Sequence, residues 1–180
     1  MSTAETTTPT GTWTVDKVHS QAAFEVKHNV IATFRAEVED FDATLTFEDG
    51  EPKLVGTARP ASIKVRDENL AAHLASEEFF HTERYPEIRF ESTSVRRDGD
   101  AVTVEGDLTI KGVTKRVEAK GTLVGPTDDA FGGVRIGLDL ETVVDRTEFG
   151  LNWNMPLPKG GFVLANDVKL VLHLEFVSAS

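Results

Sequence analysis

Residues 101–124 read AVTVEGDLTIKGVTKRVEAKGTLV. Val102, Val104, Leu108 and Ile110 fall on alternate positions, the period-two signature of a strand with one face buried. Lys111 and Gly112 then mark a turn, and residues 114–124 supply a second strand, so this stretch is an antiparallel hairpin. The same grammar extends in both directions. Upstream, residues 88–95 reach the hairpin through a turn at Asp98 and Gly99. Downstream, residues 130–141 set Val134, Ile136, Leu138 and Leu140 against Arg135, Gly137 and Asp139, and residues 167–177 carry Val168, Leu170, Leu172, Leu174 and Phe176.

The N-terminal third follows suit. Residues 12–18 and 20–28 read as strands, with Phe24 and Val26 opposite Glu25 and Lys27. Over residues 33–48 the apolar set Phe34, Ala36, Val38 continues as Phe41, Ala43, Leu45, Phe47, one position out of phase. That slip predicts a bulge near Glu39 and Asp40, in one bent strand or a strand pair. After the turn at Asp49 and Gly50, residues 54–58 and 62–65 form a strand broken by Pro60, which has no N–H for a ladder. About eight long antiparallel strands remove their free edges by closing, and such a barrel leaves room for side chains or one small ligand. A sandwich is the competing all-β architecture.

One segment departs from alternation: RDENLAAHLASEEFFHTERYPEIRF, residues 66–90. Asp67 is placed to cap a helix over residues 68–77, with Leu70 and Leu74 on one stripe and Glu68, Glu77 and Glu78 facing away. Phe79, Phe80, Tyr85 and Phe90 follow, more aromatic surface than a solvated connection needs. A lone short helix in a β chain is expected to close or line the interior.

Thirty acidic against nineteen basic residues, a net charge of −11, argue against nucleic acid, which needs a basic face. No apolar run reaches the roughly 20 residues that cross a bilayer, so an integral membrane protein is not expected. The absence of cysteine leaves no disulfide framework. Residues 1–11, MSTAETTTPTG, read as a polar, flexible tail without a secretory signal. A single domain over residues 12–178 in the cytoplasm is the expectation, an exported form remaining open.

Several ordered motifs carry a family resemblance: Trp13-Thr14-Val15-Asp16 with His19-Ser20; Phe24 through His28; Arg66-Asp67, His73-Leu74 and Phe79-Phe80; Tyr85 through Phe90; Gly106 through Lys115; and Arg146 through Gly150. Together they resemble the YceI-like family from about Trp13 to Phe176. The resemblance implies a lipocalin-like antiparallel barrel whose interior binds a long isoprenoid, a polyprenyl phosphate or a quinone. It also implies a bacterial protein linked to stress response.

From alternation, the expected lining is Phe24, Phe34, Leu45, Phe47, Leu70, Leu74, Phe79, Phe90, Ile136 and Leu172, in a lipid channel or a filled core. His19, His28, Arg66 and Arg146 are candidates for a polar head group, since a guanidinium grips phosphate bidentately. The plainer reading of the arginines is ion pairing, Arg66 with Asp67 and Arg146 with Asp145 or Glu148. His19 and Ser20 point to opposite strand faces and cannot share a proton, and no metal-ligand spacing occurs, so neither a catalytic residue nor a metal or cofactor is expected. Residues 152–161, apolar through Trp153, Met155 and Leu157, cap one end or join two copies in a homodimer. The expectation is a non-catalytic isoprenoid binder; a lipid-modifying enzyme or an interaction module with a filled core are the alternatives.

Overall fold

A computed structural model describes residues 8–179. Its strands are β1 (Gly11–Val15), β2 (Gln21–His28), β3 (Ala32–Val38), β4 (Phe41–Glu48), β5 (Glu51–Ala58), β6 (Ile63–Lys64), β7 (Ile88–Asp98), β8 (Ala101–Ile110), β9 (Val113–Asp128), β10 (Val134–Asp145) and β11 (Leu164–Ser178), with α1 (Glu68–Ala75) between β6 and β7. All pairings between them are antiparallel. The tail expected over residues 1–11 falls largely outside the described residues; within them, Pro9 is already buried and Gly11 opens β1.

The sheet runs β1–β4–β5–β7–β8–β9–β10–β11 and closes where β1 pairs with β11. β11 is long enough to hold two partners on one edge: β1 opposite its C-terminal end (Trp13 with Ser178) and β2 farther back (Phe24 with Leu170). β1 and β2 are therefore halves of one bent barrel strand. β4 and β3 are halves of the next, registered by Trp13 with Leu45 and Phe24 with Ala36. The break between these halves lies at Glu39 and Asp40, where the phase slip predicted a bulge. Their freed amides donate to Ser62, Glu39 N–H to its carbonyl at 3.2 Å and Asp40 N–H to its hydroxyl at 2.8 Å. Counting each bent pair once gives the closed eight-stranded circuit.

At the other end the circuit is open. Pairing passes from β2 to β3 and stops at β6, a strand of two residues, because Pro60 turns the chain into a 3₁₀ segment. α1 occupies this gap. Asp67 caps it, its Oδ1 accepting the Leu70 N–H at 2.9 Å, as the sequence predicts. It ends at Ala75 instead of residue 77, because the Ser76 hydroxyl donates to the His73 carbonyl at 2.6 Å and Ser76 itself turns extended.

The interior divides into two clusters. At the closed end Trp13, Leu45, Phe47, Val104, Leu123, Ile136 and Phe176 are packed together and buried. Toward α1, Ile63, Leu74, Phe79, Leu108, Val144 and Phe149 form the second. Gly106 in β8 permits one tight contact: a Cβ there would lie 2.5 Å from the Phe90 ring and 2.5 Å from the Glu91 carbonyl oxygen.

Candidate functional site

Between the closed end and α1 the barrel holds a cavity of about 560 Å³, within the roughly 300–1,000 Å³ of known ligand pockets. Seven of the ten expected lining residues face it: Phe24, Phe34, Leu70, Leu74, Phe79, Phe90 and Leu172. Leu45, Phe47 and Ile136 do not; they belong to the packed end. The alternation that placed them inward is correct, but inward-facing residues near the β1–β11 closure meet each other across the barrel, whereas those nearer α1 surround open space.

The four head-group candidates separate. His19 sits outside the cavity, in an exposed network at the closed end. Its Nδ1 lies 2.8 Å from Asp16 Oδ2 and 3.6 Å from Glu175 Oε2, and Arg135 reaches Asp16 at 2.6 Å and Asp129 at 2.9 Å. Hydrogen bonds from His19 and Arg135 hold the Asp16 carboxyl well below the usual carboxylate range, and the Asp16 carboxylate in turn raises His19. The Arg135 hydrogen bond, with backbone N–H groups from Gly133 and Phe131, lowers Asp129 to about 2. Asp16, His19 and Glu175 bring their donor atoms within 4.8 Å of one another, yet the Arg135 guanidinium shares that space and disfavours a cation there. Arg66 is exposed at the start of α1, outside the cavity wall. Ser20 is spent on the backbone, its Oγ accepting the Glu175 N–H at 2.9 Å.

His28 and Arg146 do line the cavity. His28 stands exposed at its mouth, at the end of β2. Arg146 opens the 3₁₀ turn Arg146–Phe149 after β10 and is 5% exposed. The expected ion pair with Asp145 or Glu148 does not form. Asp145 Oδ1 instead accepts the Thr147 N–H at 2.9 Å and its hydroxyl at 2.6 Å, while the guanidinium turns inward to carbonyls: Nε to Ala165 at 2.9 Å, Nη1 to Leu151 at 2.5 Å and to Trp153 at 2.9 Å. Nη2 is the one buried side-chain polar atom without a hydrogen-bond partner among the described residues. Burial pushes this guanidinium below its ordinary range, with the Asp145 charge opposing. It remains a cation, because arginine does not give up its proton in proteins.

Two wall residues escaped the sequence reading. His73, on α1, meets Phe79 edge-on at 4.8 Å and Trp153 edge-on at 4.7 Å, and donates from Nε2 to Glu78. Trp153 in turn lies 5.5 Å from Phe79. The α1 segment and the loop after β10 thus close over the cavity through three rings in mutual contact, and Lys111 Nζ bridges the same two segments by donating to Glu77 O at 2.6 Å and Gly150 O at 3.5 Å. His73 follows Leu70 by one helical turn, a signal for the lining stripe. Trp153 lies in the apolar loop expected to cap one end, but nothing local places it against Phe79 and His73, 74 and 80 residues away in the chain.

A closed antiparallel barrel with a helix over one end and an apolar interior is a lipocalin-like fold. The YceI-like domain model matches residues 13–176, and the chain belongs to the YceI-like family. Protein YceI of Escherichia coli O157:H7 is 34% identical over 162 residues, 88% of this chain and 82% of that protein. Protein YceI of Salmonella newport is 30% identical over the same span. Among solved structures, Burkholderia cenocepacia BcnA superposes with a TM-score of 0.76 at 22% identity, covering 89% of this chain and 98% of its own. A polyisoprenoid binding domain from Saccharophagus degradans, implicated in plant cell wall breakdown, superposes at 0.69 with 14% identity, covering 92% and 98%. At these identities the structural likeness is one of fold.

Proposed function

We propose that the protein binds a long linear isoprenoid lipid in this cavity, its tail against the apolar wall and its polar head at Arg146, as a carrier, store or protectant and not as a catalyst. The observation that carries the reading is the buried Arg146 Nη2 without an acceptor on a largely apolar wall. A buried donor without an acceptor is costly, and a phosphate or quinone oxygen supplies the one that the chain does not. The tail gains about 0.8 kcal/mol per buried CH₂, so affinity rises with chain length until the cavity is full. Family membership and the fold neighbour described as polyisoprenoid-binding favour the same ligand class. Among the described residues no wall hydroxyl is hydrogen-bonded to a wall histidine or carboxylate, which favours binding over turnover.

Mass spectrometry of organic extracts from natively purified protein, paired with thermal melts, tests this. A prenyl lipid is expected in the extract, and saturation to 100 times Kd is expected to add about 2.7 kcal/mol, a rise of about 5–10 °C for a chain this size. An empty extract together with an unmoved melting temperature under farnesyl phosphate and a short-chain prenyl quinone overturns the reading.

A further inference from the structure

The cavity mouth is rimmed by apolar side chains that face solvent. The turn after β2 exposes Val30 (63%) and Ile31 (85%), and the loop between β10 and β11 exposes Met155 (55%) and Phe162 (57%). The two loops are joined: Asn29 N–H donates to Val163 O at 2.8 Å, and Gly161 lies against Val30, so that a Cβ there would come within 3.1 Å of Val30 Cγ2. In each loop one exposed residue adjoins a wall residue of the cavity, Ile31 beside Ala32 and Phe162 beside Val163. The apolar rim therefore borders the cavity wall in both loops.

Charge singles out the same surface. In a chain of net charge −11, residues 26–34 and 149–166 contain no aspartate or glutamate, and their formal charges are Lys27 and Lys159 alone. Neither lysine forms a salt bridge among the described residues. The backbone also departs from comfort here, with Val30 held at φ 69°, a conformation a β-branched residue avoids and glycine accepts freely. The chain keeps a strained valine where it displays an apolar tip.

We infer that this rim docks the cavity mouth onto an anionic lipid bilayer, Val30, Ile31, Met155 and Phe162 entering the interface while Lys27 and Lys159 meet lipid phosphates. The choice of a bilayer over a protein partner rests on the isoprenoid reading above, because such a ligand resides in membranes and must leave one to enter the barrel. Interfacial binding grows with the apolar area inserted and with attraction to anionic lipid. Among the described residues no helix is long and apolar enough to cross a membrane, so attachment of this kind is reversible.

Flotation of the purified chain with phosphatidylglycerol–phosphatidylethanolamine vesicles tests it, beside phosphatidylcholine vesicles, sedimentation without lipid, and binding of water-dispersed farnesyl phosphate. Wild type is expected to float with the anionic vesicles and to release as salt is raised. Ile31→Asp with Phe162→Asp is expected to lower partitioning by about tenfold or more with the melting temperature kept. Val30→Gly is expected to weaken flotation while leaving the melting temperature unchanged or higher, a combination that a purely structural valine does not give. Wild type that stays in solution, or a double variant that floats like wild type, overturns the inference. So does a wild-type dimer that dissociates in the double variant without either floating, which assigns the rim to a second copy. Failure of farnesyl phosphate to bind while rim-dependent flotation persists removes the cargo and leaves the docking surface.

Discussion

Replacing Arg146 by methionine keeps the unbranched stem and removes the guanidinium, which separates the head of a bound lipid from its tail. Two effects oppose each other in the unliganded protein. Three backbone carbonyls, of Leu151, Trp153 and Ala165, lose a charged donor, at about 1–3 kcal/mol for each left without a partner. Against this, a buried cation that the nearby Asp145 charge only partly offsets disappears, relieving a desolvation cost of about the same size. The net change in stability is therefore small, about 2 kcal/mol or less, a shift of no more than about 8 °C in Tm. Binding behaves differently. One charge-assisted hydrogen bond from Nη2 contributes about 1.5–3 kcal/mol, so the Kd for farnesyl phosphate is expected to rise about 10- to 150-fold. Farnesene, the same hydrocarbon without a head, is expected to bind both proteins alike. Fluorescence titration through Trp153, which lies on the cavity wall, reads all four affinities and closes a double-mutant cycle. Equal losses for the phosphate and the hydrocarbon refute the head-group assignment, because they show that the substitution acted on the shape of the cavity.

Gly106→Ala is expected to cost about 1–3 kcal/mol by overpacking, since a rigid carbonyl and the Phe90 ring both lie 2.5 Å from the new Cβ; denaturant unfolding that matches wild type contradicts that geometry. Asp67→Ala removes the cap on the Leu70 amide and is expected to cost about 0.5–2 kcal/mol, seen as faster hydrogen exchange confined to α1. His19 is raised above its ordinary value of 6.5 by Asp16, so the stability it adds is full below pH 6.5 and fades as pH rises through the folded-state value. Asp16 and Asp129 are lowered from 3.8, so theirs is full above 3.8 and fades in stronger acid. An NMR titration is therefore expected to find His19 elevated and Asp16→Asn to return it toward its ordinary range; an unmoved His19 in that variant breaks the assignment.

Most of the fold was legible because alternation and turn chemistry are local. The faces of β8, β10 and β11, the break at Glu39 and Asp40 and the Asp67 cap each depend on residues a few positions apart. Height along the barrel axis is not local. Phe34 and Phe47 carry the same inward signal, yet one faces a cavity and the other a packed cluster, and only the β1–β11 closure decides which. Arg146 shows the same boundary from the polar side. Its chain neighbours Asp145 and Glu148 are plausible ion-pair partners, but its actual acceptors include Ala165, 19 residues away, brought near by the return of β11. His73 and Trp153 meet only once α1 is laid across the open end.

The division of the barrel into a filled end and a hollow one separates folding from traffic. The closing strand pair and the residues packed around Phe176 make their contacts chiefly with one another, and only the cluster's inner members, such as Leu54 and Leu140, reach the cavity. On the proposed reading, filling and discharge are local events at the helix and its neighbouring loop, and the packed end stays in place.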